Sequence, residues 1–141
     1  MILKIFNNII LKKMNIFGDI DSKKNPSLFT AWFLVHLLFG VILMYIFYIY
    51  FSIDIWLSIL IILIIHTIYE INDLFINPLF YQNTNLKKNH SIINSLGDTI
   101  GCIIGILIVV VFIRAKNNIF FISAFTLYFV LIFIFKKLNI N

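Results

Sequence analysis

The chain is 141 residues long, 62% hydrophobic and only 12% charged, with eleven Lys+Arg against six Asp+Glu and a net charge of +5. Soluble domains carry about 45–50% apolar and about 25% charged residues, so this composition, with a mean hydropathy of +1.03, excludes both a soluble domain and a disordered chain. The single cysteine, Cys102, excludes a disulfide framework and Cys-based zinc motifs, and in so apolar a chain the basic balance marks the ends of membrane spans rather than a nucleic-acid surface.

Residues 1–17 come first. Lys4, Asn8 and Lys12 fall on one helical stripe, with Ile2, Phe6, Ile9 and Ile10 largely opposite. The apolar run is too broken for a signal-peptide core, and the spacing predicts an interfacial amphipathic helix. Lys4, Lys12 and Lys13 are then directed at anionic lipid head groups. Gly18 and Pro26 punctuate the passage to the first span.

A bilayer core about 30 Å thick takes about 20 apolar residues in helical form. Four stretches qualify: about 28–51, 53–72, 91–113 and 119–135. The first and second are joined by a tight turn around Ser52–Asp54, and the third and fourth by Arg114–Asn118. Between them, Leu74–His90 reads as a true loop, Asn-rich, with Pro78 and the Lys87–Lys88 pair. Nine of the eleven basic residues lie on the side shared by both termini and this loop, against Arg114 and Lys116 on the other. The excess of positive residues predicts that side, and both termini, to be cytoplasmic. The expected fold class is therefore all-α: an integral membrane four-helix bundle with an N-terminal amphipathic interfacial helix. Its divisions are a cytoplasmic amphipathic segment over 1–25 and a four-span domain over 26–141. The bilayer is the partner implied, nucleic acid is not, and a homo-oligomer is left open.

Polar residues inside spans carry the chemical information, because an ionisable group at the bilayer centre costs a few kcal/mol or more. Measured from the lysine-rich end at about 1.5 Å per residue, His36 lies about 12 Å deep, His66 and Asp98 about 10 Å and Glu70 about 5 Å. Three antiparallel helices thus place their polar residues in one slab. Within it His66, Glu70 and Asp73 share a face at i, i+4 and i+7, as do Ser91, Asn94 or Ser95, Asp98 and Cys102. Gly97, Gly101 and Gly105 recur every four residues, a spacing that lets another backbone approach closely; Gly40 offers a matching surface on the first helix. The fourth helix, with Ser123, Thr126 and Tyr128 among apolar residues, reads as a lipid-facing buttress.

Three segments carry a resemblance. Val35-His36-Leu37-Leu38-Phe39-Gly40, Tyr69-Glu70-Ile71-Asn72-Asp73, and Asn89-His90-Ser91 through Asn94-Ser95 and Gly97-Asp98 to Gly105 resemble a small family of bacterial multi-pass membrane proteins of unknown function, related to the broader VanZ-like group. The likeness spans roughly residues 30–110 and supports a fold and a site position, not a reaction. Departures are visible: Phe39 stands where the pattern has a second His, Asn89-His90 where it has Gly-Asp, and His66 where it has an acid.

Nitrogen and carboxylate donors at His36, His66, Glu70 and Asp98 would suit Zn²⁺ or another first-row divalent ion, so these four are the candidate metal ligands, with Asn94 in the same polar layer. The plainer reading is a buried hydrogen-bond network locking the helices in register, at about 1 kcal/mol per contact. Ser91 and Asn94 read as caps at the start of the third helix, and Asp73 as a solvated head-group residue. His66 and Glu70 echo part of a zincin helix, but its second His is missing. The functional expectation is a VanZ-like membrane protein whose polar cavity binds a lipid head group, cation or metal; the alternative is a non-catalytic scaffold.

Overall fold

The structure is a computed structural model, and it describes residues 15–17, 27–76, 91–113 and 118–137. The lysines of the N-terminal segment and of the middle loop, and residues 1–14 of the helix expected over 1–17, lie outside these. Four helices form a bundle: α1 (Trp32–Met44, continuing as a π-helix over Tyr45–Tyr50), α2 (Ile55–Ile71, continuing as a π-helix over Asn72–Ile76), α3 (Ile92–Phe112) and α4 (Asn118–Lys137). Each is long and apolar enough to cross a membrane, and together they make a multi-pass, membrane-spanning bundle.

The start of the first span corrects the sequence reading. Helix α1 begins at Trp32, not Leu28, because Ser27–Phe29 forms a short strand, β2, paired in parallel with β1 (Asn15–Phe17), Asn15 opposite Ser27 and Phe17 opposite Phe29. The last three residues of the helix expected over 1–17, Asn15–Phe17, are strand instead. Pairing satisfies backbone groups that would otherwise enter the membrane boundary unbonded. At the other end of α2 the helix runs on to Ile76, past the loop start expected at Leu74.

Local chemistry sets the turn between α1 and α2. Ser52 sits at a left-handed φ of 57°, which reverses the chain, and Ile53 N–H donates back to the Phe47 carbonyl at 2.9 Å. Asp54 then caps α2, its carboxylate accepting from the backbone N–H groups of Trp56 (2.9 Å) and Leu57 (3.1 Å). Ser91 caps α3 in the same way, accepting from Asn94 N–H at 3.1 Å.

Packing centres on α1 and α3, the most extensive helix pair in the bundle. A Cβ on Gly40 would meet the Cys102 carbonyl, one on Gly105 the Leu37 carbonyl and the Val41 nitrogen, and one on Gly101 the Phe33 carbonyl at 2.8 Å. The small-residue stripe therefore does bring two backbones together, the means of association left when lipid offers no hydrophobic drive between helices. Gly97 departs from that pattern: its neighbour is the Leu28 carbonyl of β2 rather than a helix. Val41, Met44, Ile62, Cys102, Ile106 and Val109 fill the core. The outward residues of α2 and α4, among them Ile68, Phe125, Phe129 and Phe133, are large, apolar and exposed, as a lipid-facing surface requires.

Candidate metal centre

Helical periodicity explains how the polar side chains meet. His66 and Glu70 are one turn apart on the inward face of α2, so both reach α1, where His36 is one turn before the close contact at Gly40. Three donor atoms converge there. His36 Nδ1 lies 3.1 Å from His66 Nε2 and 3.6 Å from Glu70 Oε1, and His66 Nε2 lies 3.5 Å from Glu70 Oε1. All three residues are buried.

Those separations have a chemical meaning. Donors bound at about 2.0–2.1 Å to a tetrahedral ion stand about 3.3–3.4 Å apart, which is the mean edge of this triangle. The buried cluster is geometrically consistent with a divalent metal held by His36, His66 and Glu70. Glu70 Oε1 is fully buried and accepts no hydrogen bond, an arrangement costly for a carboxylate oxygen unless a cation faces it.

Asp98 takes a different place from the one the sequence implied. It stands on the far side of the His36 ring, its Oδ2 3.6 Å from Nε2, while the triangle uses Nδ1. A negative charge facing Nε2 favours the proton on that nitrogen and leaves the Nδ1 lone pair directed at Glu70 and His66. Asp98 is in turn positioned by Asn94, whose side-chain N–H donates to Oδ2 at 2.8 Å. Asn94 is therefore no cap: it is completely buried, and the capping is done by Ser91. Asp73 also departs from expectation, being buried rather than solvated, because it continues the inward stripe of Glu70 by one further turn.

A small cavity of about 30 Å³ adjoins the triangle, lined by Val35, His36 and Phe39 of α1, His66 and Tyr69 of α2 and Tyr128 of α4. Such a volume holds one or two water-sized groups. Rings complete its walls: His36 meets His66 and Tyr69 edge-on, with centroids 5.1 and 5.7 Å apart, and Phe39 lies 6.0 Å from His66. Sequence reasoning missed Tyr128, having set α4 aside as a buttress. A signal existed, since Tyr128 lies nine residues before Lys137, about 13 Å deep at about 1.5 Å per residue, in the same slab as His36.

Fold and cluster together define a multi-pass membrane protein with a buried His/His/Glu centre able to bind a metal or polar group. No family model matches the chain, and no curated protein or solved structure matches it either.

Proposed function

We propose that this is a metal-binding membrane protein, VanZ-like in arrangement, in which His36 Nδ1, His66 Nε2 and Glu70 Oε1 hold a Zn²⁺-type ion in the half of the bilayer facing the cytoplasm. The carrying observation is the donor triangle, with edges of 3.1, 3.5 and 3.6 Å. Three protein ligands leave a fourth position open, the pattern of zinc sites that bind or activate a ligand rather than of purely structural ones. Asp98 and Asn94 are positioning residues that orient His36; Gly40, Gly101 and Gly105 hold the helices that carry the set, and Gly97 seats α3 against β2. The motif resemblance around His36, Glu70 and Ser91–Gly105 supports the VanZ-like description, and the lysine distribution supports the cytoplasmic orientation.

The test is metal content. Chain purified without chelator is expected to carry about one divalent ion per chain, lost in His66→Ala and Glu70→Gln while both variants keep the parent's cooperative thermal unfolding. Metal retained in both variants, or absent from a parent that rebinds none, overturns the reading. The second reading, a scaffold in which the same residues only join helices, is favoured by the 3.1 Å His36–His66 contact, which links α1 to α2 without an ion. It predicts instead a metal-free parent and a large loss of stability in His66→Ala.

A further inference from the structure

Three carboxylates are buried around the triangle: Glu70 and Asp73 of α2 and Asp98 of α3. The lysines among the described residues, Lys136 and Lys137, are exposed at the end of α4. One divalent ion balances two of the three negative charges, so the layer draws cations and repels anions. The polar residues are not spread evenly about the triangle. Asp73 lies three residues past Glu70, about 4–5 Å nearer the end of α2, on the π-helical turn Asn72–Ile76. On α3, Ser95 hydrogen-bonds the Glu70 carboxylate, and Asn94 is completely buried beside Asp98.

In the other direction the bundle is closed. Val41, Met44, Ile62, Cys102, Ile106 and Val109 pack into an apolar core beyond His66. The next fully buried polar side chain on α2, Ser58, is eight residues or about 12 Å away, and its hydroxyl donates to the Ile53 carbonyl. An ion leaving the triangle that way would cross the core without a ligand, at the full cost of an unpaired buried charge. Toward Ile76, by contrast, each turn of α2 carries a donor: His66, Glu70 and Asp73 stand at i, i+4 and i+7. Side chains three residues apart on a helix are neighbours, so Glu70 and Asp73 can share an ion that has not yet reached the histidines. Glu70 Oε1, shut off from solvent and accepting no hydrogen bond, is the oxygen left to carry it inward.

We infer that Asp73 is the entry ligand of the centre: a divalent cation from the aqueous phase at the Ile76 end of α2 binds Asp73 and Glu70 first, passes to His66 and His36 with Glu70 still attached, and leaves by the same route. This rests on the metal reading above. The ion exchanges with one face of the membrane and does not cross it. Asp98, behind the His36 ring, takes no part in entry.

The experiment uses the full chain. In a non-ionic detergent, Co²⁺ uptake and its release into excess EDTA are timed by stopped flow through the visible absorption of the bound ion. Asp73→Asn is expected to slow uptake about tenfold or more, the scale on which a guiding charge raises association rates, with release no faster than in the parent. Asp98→Asn is expected to take up Co²⁺ at close to the parent rate and to release it faster. Uptake by Asp73→Asn at the parent rate overturns the inference, and so does an equal slowing in both variants, which is a general effect of lost charge. A second measurement leaves Asp73 in place and decides the matter if that variant does not fold. Chain carrying Asn141→Cys is loaded with Co²⁺ in phosphatidylcholine vesicles, and an impermeant maleimide counts the copies whose C-terminal end faces outward; Cys102 is fully buried. Phe135 packs on Trp32 at the start of α1, with ring centroids 5.6 Å apart, so α4 and α2 end on the same side of the bundle. EDTA outside should strip Co²⁺ from the labelled fraction alone. Stripping of the unlabelled copies, or Co²⁺ appearing inside the vesicles, overturns the inference and leaves the metal reading standing. A chain that binds no Co²⁺ refutes the metal reading, and this inference with it.

Discussion

Helix α1 has two dissimilar sides. Toward α3 it is locked: carbonyls of one helix lie where the glycines of the other leave no side chain, and a single added carbon on Gly40 or Gly105 has no room. Toward α2 and α4 it is loose, bordered by rings and a cavity. His36 stands between them, one ring nitrogen facing Asp98 on the locked side and the other facing His66 and Glu70 on the open side. The contrast shows how a membrane bundle can be rigid and still hold a site. Without a hydrophobic drive, stability has to come from close backbone contact, so it is concentrated in one interface and the other is released for binding.

Breaking the locked side should have the largest effect. Gly105→Leu is expected to abolish accumulation of folded protein, and Gly105→Ala to lower stability by about 1–3 kcal/mol, read from thermal unfolding in detergent. A Gly105→Ala protein as stable as the parent would mean that the two backbones are not in contact. Next comes the link between the sides. Asp98→Asn, which keeps the shape and removes the charge, should weaken Zn²⁺ binding about 10–100-fold in competition with a chromophoric chelator, the usual effect of losing a carboxylate behind a ligating His. Because helix packing is untouched, the melting temperature should move far less than in the glycine variants. On the loose side α2 depends more on its own cap: Asp54→Ala should cost about 1 kcal/mol. The smallest change expected is from Ser52→Gly. Relief of the left-handed conformation, about 1–2 kcal/mol, is offset by about 0.5–1 kcal/mol of added chain entropy, leaving a gain of at most about 1.5 kcal/mol. A fall of several degrees in melting temperature would show that the Ser52 side chain does something the turn geometry does not reveal.

The four helices were readable because a bilayer demands long apolar runs with paired backbones, and Trp32–Tyr50, Ile55–Phe75, Ile92–Phe112 and Ile119–Lys137 answer that demand directly. The convergence of His36, His66 and Glu70 was readable for a related reason: ionisable residues are rare inside spans, and depth arithmetic alone places them together. What escaped depends on partners distant in sequence. That Gly97 faces a strand carbonyl follows from parallel pairing between residues 15–17 and 27–29, which no periodicity announces. Depth also cannot tell which nitrogen of His36 meets which acid, so Asp98 passed for a ligand when it stands behind the ring. Tyr128 was hidden by its surroundings, one of three scattered hydroxyls among many phenylalanines on a helix without a pronounced polar face.

The pairing of α1 with α3 has a consequence for biogenesis. The first hairpin, α1 and α2, emerges from the ribosome before its main partner exists, and the contacts it makes on its own are slight beside those α1 later makes with α3. During that interval Gly40 is bare to lipid, and His36 has Glu70 and His66 beside it but not Asp98. Translation of the third span is then the committing event: it seals the backbone contact and, in the same step, delivers the carboxylate that orients His36. A nascent chain arrested after α2 should therefore remain a loose hairpin, prey to quality-control proteolysis, and acquire its resistance only when α3 has been made.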